Sequence, residues 1–285
     1  MEVALILFPD PTKHPAWLRG QTSAWCDQLA AQTGGRYDYT WNSAVLGEAA
    51  EDVFTRELAK LVRGRTLDVG CGHGAYTNRW AAYADEVTGY DMTEGFLATA
   101  NRAHRAPNVR YVLGNAHDGL PFEDGYFDLA YTKKGPTGWY PEACRILRPG
   151  ADVLALHPGD GNGEGGELGS CFPGLFAPPA TGTPTLDRIK QRLAESGLIV
   201  RNIRVLRETV CIPSARDVLT LLCFGQSEAF ARWAETACYA DIERQFERHR
   251  GPQGLVVTGF YYLLHAQAPA SAPDPAGERR QGGMA

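Results

Sequence analysis

The chain has 285 residues, 44% of them hydrophobic and 21% charged, and a formal net charge of −5. That length suits one α/β domain with embellishments, and the apolar content excludes wholesale disorder. The acidic balance argues against long nucleic acid as a partner, because such a partner demands a basic footprint.

The opening MEVALILFPD is too short an apolar run for a secretory leader and carries a Glu where positive charge is expected. Seven cysteines, an odd number without a C-x-x-C pair, are neither a disulfide framework nor a zinc ribbon. Reduced thiols in a cytoplasm are the simpler expectation, and no stretch approaches the ~20 apolar residues of a membrane span.

Residues 1–50 form an aromatic-rich cap segment with Trp17, Trp25, Tyr37, Tyr39 and Trp41, and a helix is expected from Pro15 to about Ala31. Residues 51–268 read as the main domain. Helical spacing over Glu51–Val62 precedes an apolar strand, Arg65–Val69, a glycine turn, Gly70–Gly74, and a helix, Ala75–Ala82. A strand over Glu86–Tyr90, a helix over Glu94–Arg102 and strands over Val109–Leu113 and Tyr126–Tyr131 follow. A helix over Trp139–Leu147 is expected to stop at Pro149–Gly150, before a strand over Asp152–Leu156. This alternation is that of stacked βαβ units. Residues 159–184 are Gly/Pro-rich, long enough to suggest a lid. Residues 185–268 carry a helix, a strand, two helices and a last strand, and 269–285 read as a disordered tail.

The most informative segment is Leu67-Asp68-Val69-Gly70-Cys71-Gly72-His73-Gly74, a strand feeding a glycine turn that opens a helix. Glycines admit close approach of a ligand to the backbone, and a helix N-terminus favours anionic or polar groups. Gly70, Gly72 and Ala75 also satisfy the dinucleotide fingerprint G-x-G-x-x-G/A, and Asp91, at the end of the next strand, suits the ribose of either adenosine cofactor. A nicotinamide-dependent oxidoreductase therefore stands as one alternative. Asp68 points the other way: a carboxylate at that strand end would repel a pyrophosphate and suits a cationic methionine moiety.

As an ordered set, LDVGCGHG, VTGYD, GNAHDGLPFEDGYFDLAY and ACRILRPGADVLAL resemble the class I, Rossmann-like S-adenosylmethionine-dependent methyltransferase superfamily over about residues 50–160. The resemblance implies a doubly wound, mostly parallel seven-stranded sheet with an antiparallel last strand, here Gly254–Ala266, beneath the N-terminal helical and aromatic cap. It implies S-adenosylmethionine as cofactor and S-adenosylhomocysteine as product. Carried over by position, Gly70, Cys71, Gly72 and Gly74 would line the cofactor and Asp68 would hold its amino end. Asp91 would bind the ribose, Met92 would face the adenine, Asn115, Ala116 and His117 would recognise its edge, and Tyr37 would close over it. Asn115 stands where the family often has Asp.

On the acceptor side, the carboxyl ends of the fourth and fifth strands offer Tyr131 near the transferred methyl and His157 as the best candidate base. Trp17, Trp25, Trp41, Trp139, Tyr140 and Asp160 are the candidate acceptor contacts; Lys133 and Lys134 stand at the same strand end as acceptor-side candidates, with solvated loop charges as their favoured alternative reading. No metal-ligand spacing, G-x-S-x-G motif or Asn-Pro-Pro-Tyr motif occurs. These features favour a small-molecule acceptor, with an aromatic such as an indole to test early, in secondary-metabolite tailoring. A ribosomal or transfer RNA base methyltransferase is the other alternative, and oligomeric state stays open.

Overall fold

The computed structural model describes residues 8–270, so the opening heptapeptide and all but two residues of the expected tail lie outside it. Eight strands form one sheet: β1 (Ala44–Leu46), β2 (Arg65–Val69), β3 (Glu86–Asp91), β4 (Val109–Leu113), β5 (Phe127–Lys133), β6 (Leu147–Pro158), β7 (Ile199–Ile212) and β8 (Leu255–Gln267). Their order is β1-β7-β8-β6-β5-β2-β3-β4. β2 pairs in parallel with β3 and β5, β3 with β4, and β5 with β6. β8 runs antiparallel between β6 and β7, as expected of the last strand.

The eighth strand is the departure from the expected seven. β1 is three exposed residues pairing with Thr209–Cys211 of β7. It buries no side chain, so no alternation marks it in the sequence; backbone pairing alone makes it a strand.

Nine α-helices complete the described chain: α1 (Ser23–Gln32), α2 (Ala50–Leu58), α3 (Ala75–Asn78), α4 (Glu94–Ala103), α5 (Ala143–Ile146), α6 (Glu167–Cys171), α7 (Pro184–Ser196), α8 (Ala215–Leu222) and α9 (Glu228–His249). α1 starts eight residues later than expected, because Thr22 caps it by accepting from the Trp25 N–H. Pro149–Gly150 does not separate a helix from a strand. α5 has already ended, and the dipeptide lies within β6, where the register against β5 shifts between Phe127 and Leu129.

The chain builds β2, β3 and β4 outward and then returns to place β5 on the other side of β2. The switch point therefore lies at the carboxyl ends of β2 and β5, where open α/β sheets hold ligands. One face of the sheet carries a core of Leu67, Phe127, Trp139, Ile146, Val153 and Leu264. The opposite face packs Phe54, Leu58, Trp80, Tyr131 and Leu156. Leu264, in the strand that locks β6 to β7, is fully buried. Leu264→Ala should lower stability by about 2–5 kcal/mol, seen as a lower urea midpoint with an unchanged slope.

Candidate active site

The glycine turn hangs from the end of β3. The N–H groups of Gly70 and Cys71 both donate to the Tyr90 carbonyl, at 2.8 and 3.2 Å. The Gly72 N–H donates to Asp91 Oδ2 at 2.9 Å, and the Thr93 N–H donates to Asp91 Oδ1 at 2.9 Å. Burial raises the Asp91 carboxyl pKa against these backbone hydrogen bonds. Each carboxylate oxygen has one of these backbone donors and retains accepting capacity for a vicinal diol.

The three turn glycines do different work. All have positive φ, +82°, +55° and +80° for Gly70, Gly72 and Gly74. A Cβ on Gly70 would lie 2.7 Å from Pro136 Cδ, and one on Gly74 would meet the Tyr111 hydroxyl at 2.5 Å. The close approach at these two positions is made by the protein itself. At Gly72 the nearest atom is Tyr37 Cβ, 3.7 Å away, so Gly72 is the turn position with space beside it. Cys71 is buried, with its sulfur against Gly89, and burial pushes its thiol well up. It offers the site backbone rather than a reactive thiol.

Tyr37 covers this turn. Its N–H donates to His73 Nδ1 at 3.0 Å, and its hydroxyl accepts from Gln21 at 2.8 Å. Its ring packs on Trp25, Tyr39, Phe96 and Phe224. Met92 packs on the same group and lies 3.6 Å from the Ser23 hydroxyl. Phe224, which no sequence motif marked, contacts Trp25, Tyr37, Tyr39 and Trp41 and organises the cover. Trp25 is buried, with its indole N–H donating to the Phe224 carbonyl, and Trp17 packs on the separate core of α8 and α9. Trp41 is half-buried and packs on Tyr39 and Phe224.

Asn115 Oδ1 accepts from the His117 N–H at 3.1 Å. That bond uses the His117 backbone donor expected to read an adenine and leaves the role to Ala116. The His117 ring is exposed and lies against Gly138.

Asp68 is buried at the end of β2. Its Oδ2 accepts from the Thr77 hydroxyl at 2.7 Å and the Tyr131 hydroxyl at 2.9 Å. Burial pushes its carboxyl up to about 6 despite both bonds. Tyr131 is thereby corrected: it lies within β5, fully buried among Phe54 and Tyr76, and it steadies Asp68 instead of facing a transferred methyl.

The expected acceptor wall also moves inward. Trp139 and Tyr140 are fully buried core residues. His157 is 2% exposed, and its Nε2 lies 2.5 Å from the Tyr140 hydroxyl. Burial, then the charge of Arg192, lowers its pKa to about 4. It is a neutral packing residue, sealed from any acceptor. Asp160 Oδ2 accepts from the Thr185 and Leu186 N–H groups at 2.8 and 3.2 Å and from the Tyr262 hydroxyl at 3.2 Å, so it caps α7. The 159–184 segment is fastened further by Glu167 to Thr258 and by buried Phe172 and Leu175. The segment expected to act as a lid is thus tethered at these points.

Lys133 and Lys134 are not solvated loop charges. Lys133 Nζ and Lys134 Nζ lie 2.7 and 2.6 Å from the two oxygens of Glu51, and their side chains are 26% and 21% exposed. Lys134 Nζ sits over the rings of Tyr261 and Tyr39, at 5.0 and 5.6 Å. Burial would raise the Glu51 carboxyl, but the charges of Lys134 and Lys133 outweigh it and hold the group at about 2. Among the described residues, no three His, Cys, Asp or Glu side chains are grouped to hold a metal ion, and no helix is long and apolar enough to cross a membrane.

His157 has a thermodynamic signature. Its folded pKa of about 4 lies below the ordinary 6.5, so the unfolded chain binds the extra proton between those values. Its contribution is complete above pH 6.5 and falls as pH drops towards 4, by up to about 3 kcal/mol. His157→Gln should flatten that part of the stability–pH curve measured by denaturant unfolding; an unchanged curve would place the acid sensitivity elsewhere.

Comparison with known proteins agrees with this geometry. Residues 67–155 match the family model described as a methyltransferase domain. Phthiotriol/phenolphthiotriol dimycocerosates methyltransferase 1 of Mycobacterium ulcerans is 35% identical over 100 residues, 32% of this chain and 36% of that protein. The fatty-acid O-methyltransferase of Mycolicibacterium smegmatis is 36% identical over 103 residues, 32% and 35% of the two chains. The chain spans about a third to a half of the length of the curated relatives it matches. A functionally unknown protein from Deinococcus radiodurans R1 shares the fold with a TM-score of 0.59 and 22% identity, covering 84% of this chain and 97% of its own. Residues 67–155 match a methyltransferase domain, and the sheet built around them has the Rossmann-like fold of solved methyltransferase structures.

Proposed function

We propose that the chain transfers the methyl group of S-adenosylmethionine to a small-molecule acceptor, in the tailoring of a secondary metabolite or lipid in the cytoplasm. The observation that carries this reading is the bond from the Gly72 N–H to Asp91 Oδ2, which sets a ribose-binding carboxylate beside the open position of the turn. The residues present fit the cofactor. Asp91 would take the ribose hydroxyls, and Met92 with Ala116 would bound the adenine. Tyr37 would cover Gly72, and Asp68 would favour the cationic methionine end while disfavouring a pyrophosphate. The cofactor supplies an activated methyl with its own leaving group. The chain has to align the acceptor and exclude water, which the Tyr37, Tyr39, Trp41 and Phe224 cover is suited to do.

Two observations support a small molecule over RNA. The arginines along β7 are interleaved with acidic or polar partners: Arg201 donates to Gln267, and Arg204 and Arg207 lie within 4 Å of Glu57 and Glu164. The relatives' names also point to lipid and fatty-acid acceptors. An indole acceptor loses support, because Trp139 and Tyr140 belong to the core.

Titration calorimetry tests the donor: S-adenosylhomocysteine should bind and NAD should not, and tight NAD binding alone would overturn the reading. Asp91→Asn should weaken S-adenosylhomocysteine by roughly 10- to 100-fold, since one charge-assisted acceptor is lost.

A further inference from the structure

The candidate base His157 and the residue expected beside the transferred methyl, Tyr131, are both closed off. His157 is buried against Tyr140, Tyr131 donates to Asp68, and Asp68 is itself buried. A nucleophile that arrives already without its proton has no need of them. Positive charge, in contrast, gathers at the mouth. Lys133 and Lys134 close β5, and one carboxylate, Glu51, pairs with both. Of the other carboxylates nearby, Glu208 accepts from the N–H of Ala50 at the start of α2, and buried Asp68, which feels the charge of Lys133, is held by Thr77 and Tyr131.

Lys134 is also held in an unusual way. Its φ of +59° is left-handed, a costly state for a residue with a Cβ. Its N–H donates to the Leu156 carbonyl at 2.7 Å, and the chain then reverses so that Gly135 and Pro136 pack on Gly70. The reversal leaves the ammonium group on the faces of Tyr39 and Tyr261. Tyr39 packs against Tyr37, which covers Gly72. One ring pair therefore separates this cation from the open position of the glycine turn.

We propose that Lys134, supported by Lys133, recognises a carboxylate on the acceptor and that this carboxylate oxygen is the atom methylated. The proposal rests on the methyl-donor reading above. In the step, a carboxylate lone pair forms the O–CH3 bond while the CH3–S bond breaks, and that electron pair stays on sulfur. The sulfonium becomes a thioether, the carboxylate becomes an ester, and no proton moves. Charge disappears along this path, so a neighbouring cation stabilises the bound carboxylate more than the transition state. Lys134 is thus a specificity residue whose loss raises KM without lowering kcat.

The test uses the chain loaded with S-adenosylhomocysteine and two matched pairs of probes, octanoate with octanamide and indole-3-acetate with indole-3-acetamide, titrated by calorimetry. At least one carboxylate should bind about 10-fold or more tightly than its amide. Lys134→Gly, which removes the ammonium and relieves the left-handed strain, should erase that preference, and Lys134→Arg should keep it. S-adenosylhomocysteine affinity should stay within about 3-fold in both variants, which certifies their folding. Equal binding within both pairs, no binding of either carboxylate, or a preference that survives Lys134→Gly overturns the proposal. A chain that does not bind S-adenosylhomocysteine instead overturns the methyl-donor reading itself.

Discussion

Asp91 joins two pieces of backbone that would otherwise be independent. One oxygen receives the Gly72 N–H from the turn after β2, and the other receives the Thr93 N–H ahead of α4. Both donors lie at element ends, where backbone groups lack partners within their own helix or strand. The carboxylate is largely withdrawn from water, which costs solvation and raises its pKa. The return is a turn with a fixed shape. With Gly70 beneath Pro136 and Gly74 beneath Tyr111, the open space lies at Gly72. The position of every other element of the site is measured from there.

The sheet was legible because its strands obey strong local rules. Arg65–Val69 is buried on both faces from Thr66 onward because it lies mid-sheet, and Val109–Leu113 has the same bounds in sequence and structure. The glycine turn was legible because three positive φ angles leave few alternatives to glycine. Side-chain roles were much less so. His157, Trp139 and Tyr140 stand at the correct end of the sheet, but position along a strand does not reveal which face a residue joins or what covers it. Phe224 and Gln226 were invisible for the opposite reason. They belong to no motif, and they matter because residues about 200 positions earlier fold onto them. Lys134 read as a loop charge because an ion pair with Glu51, 83 positions away, leaves no local signature.

The buried ionisable groups of the site pull in opposite directions. His157 is held neutral by a pKa lowered to about 4, which favours the fold above pH 6.5. Asp68 has a pKa raised to about 6, so its ionisation works against the fold as pH rises through that value. A structural histidine has no reason to be charged, and the protein buries it fully. A carboxylate kept in a costly setting is different. Thr77 and Tyr131 hold it in place at the end of β2, where a bound cation would offset the desolvation that raises its pKa. On the proposed reading, the cost in the free chain would be recovered when the cationic end of the cofactor binds.

The cover over Gly72 has one rigid half and one looser half. α1 is fastened to the turn after α8 by Trp25 to the Phe224 carbonyl, Gln28 to the Gly225 carbonyl and Gln32 to the Gln226 carbonyl. Gly225 has a φ of +68°, and a Cβ there would run into the Trp25 indole, so the two segments move together or not at all. Residues 36–41 are different. They form no helix or strand, and most are exposed. They carry Tyr37 and Tyr39, the rings that lie over the turn and beside Lys134. Opening the site at least cost therefore means lifting this short connection while α1 stays docked. On the proposed reading, the same movement would uncover the cofactor position and the lysine, so donor and acceptor would share one gate that excludes water from both when closed.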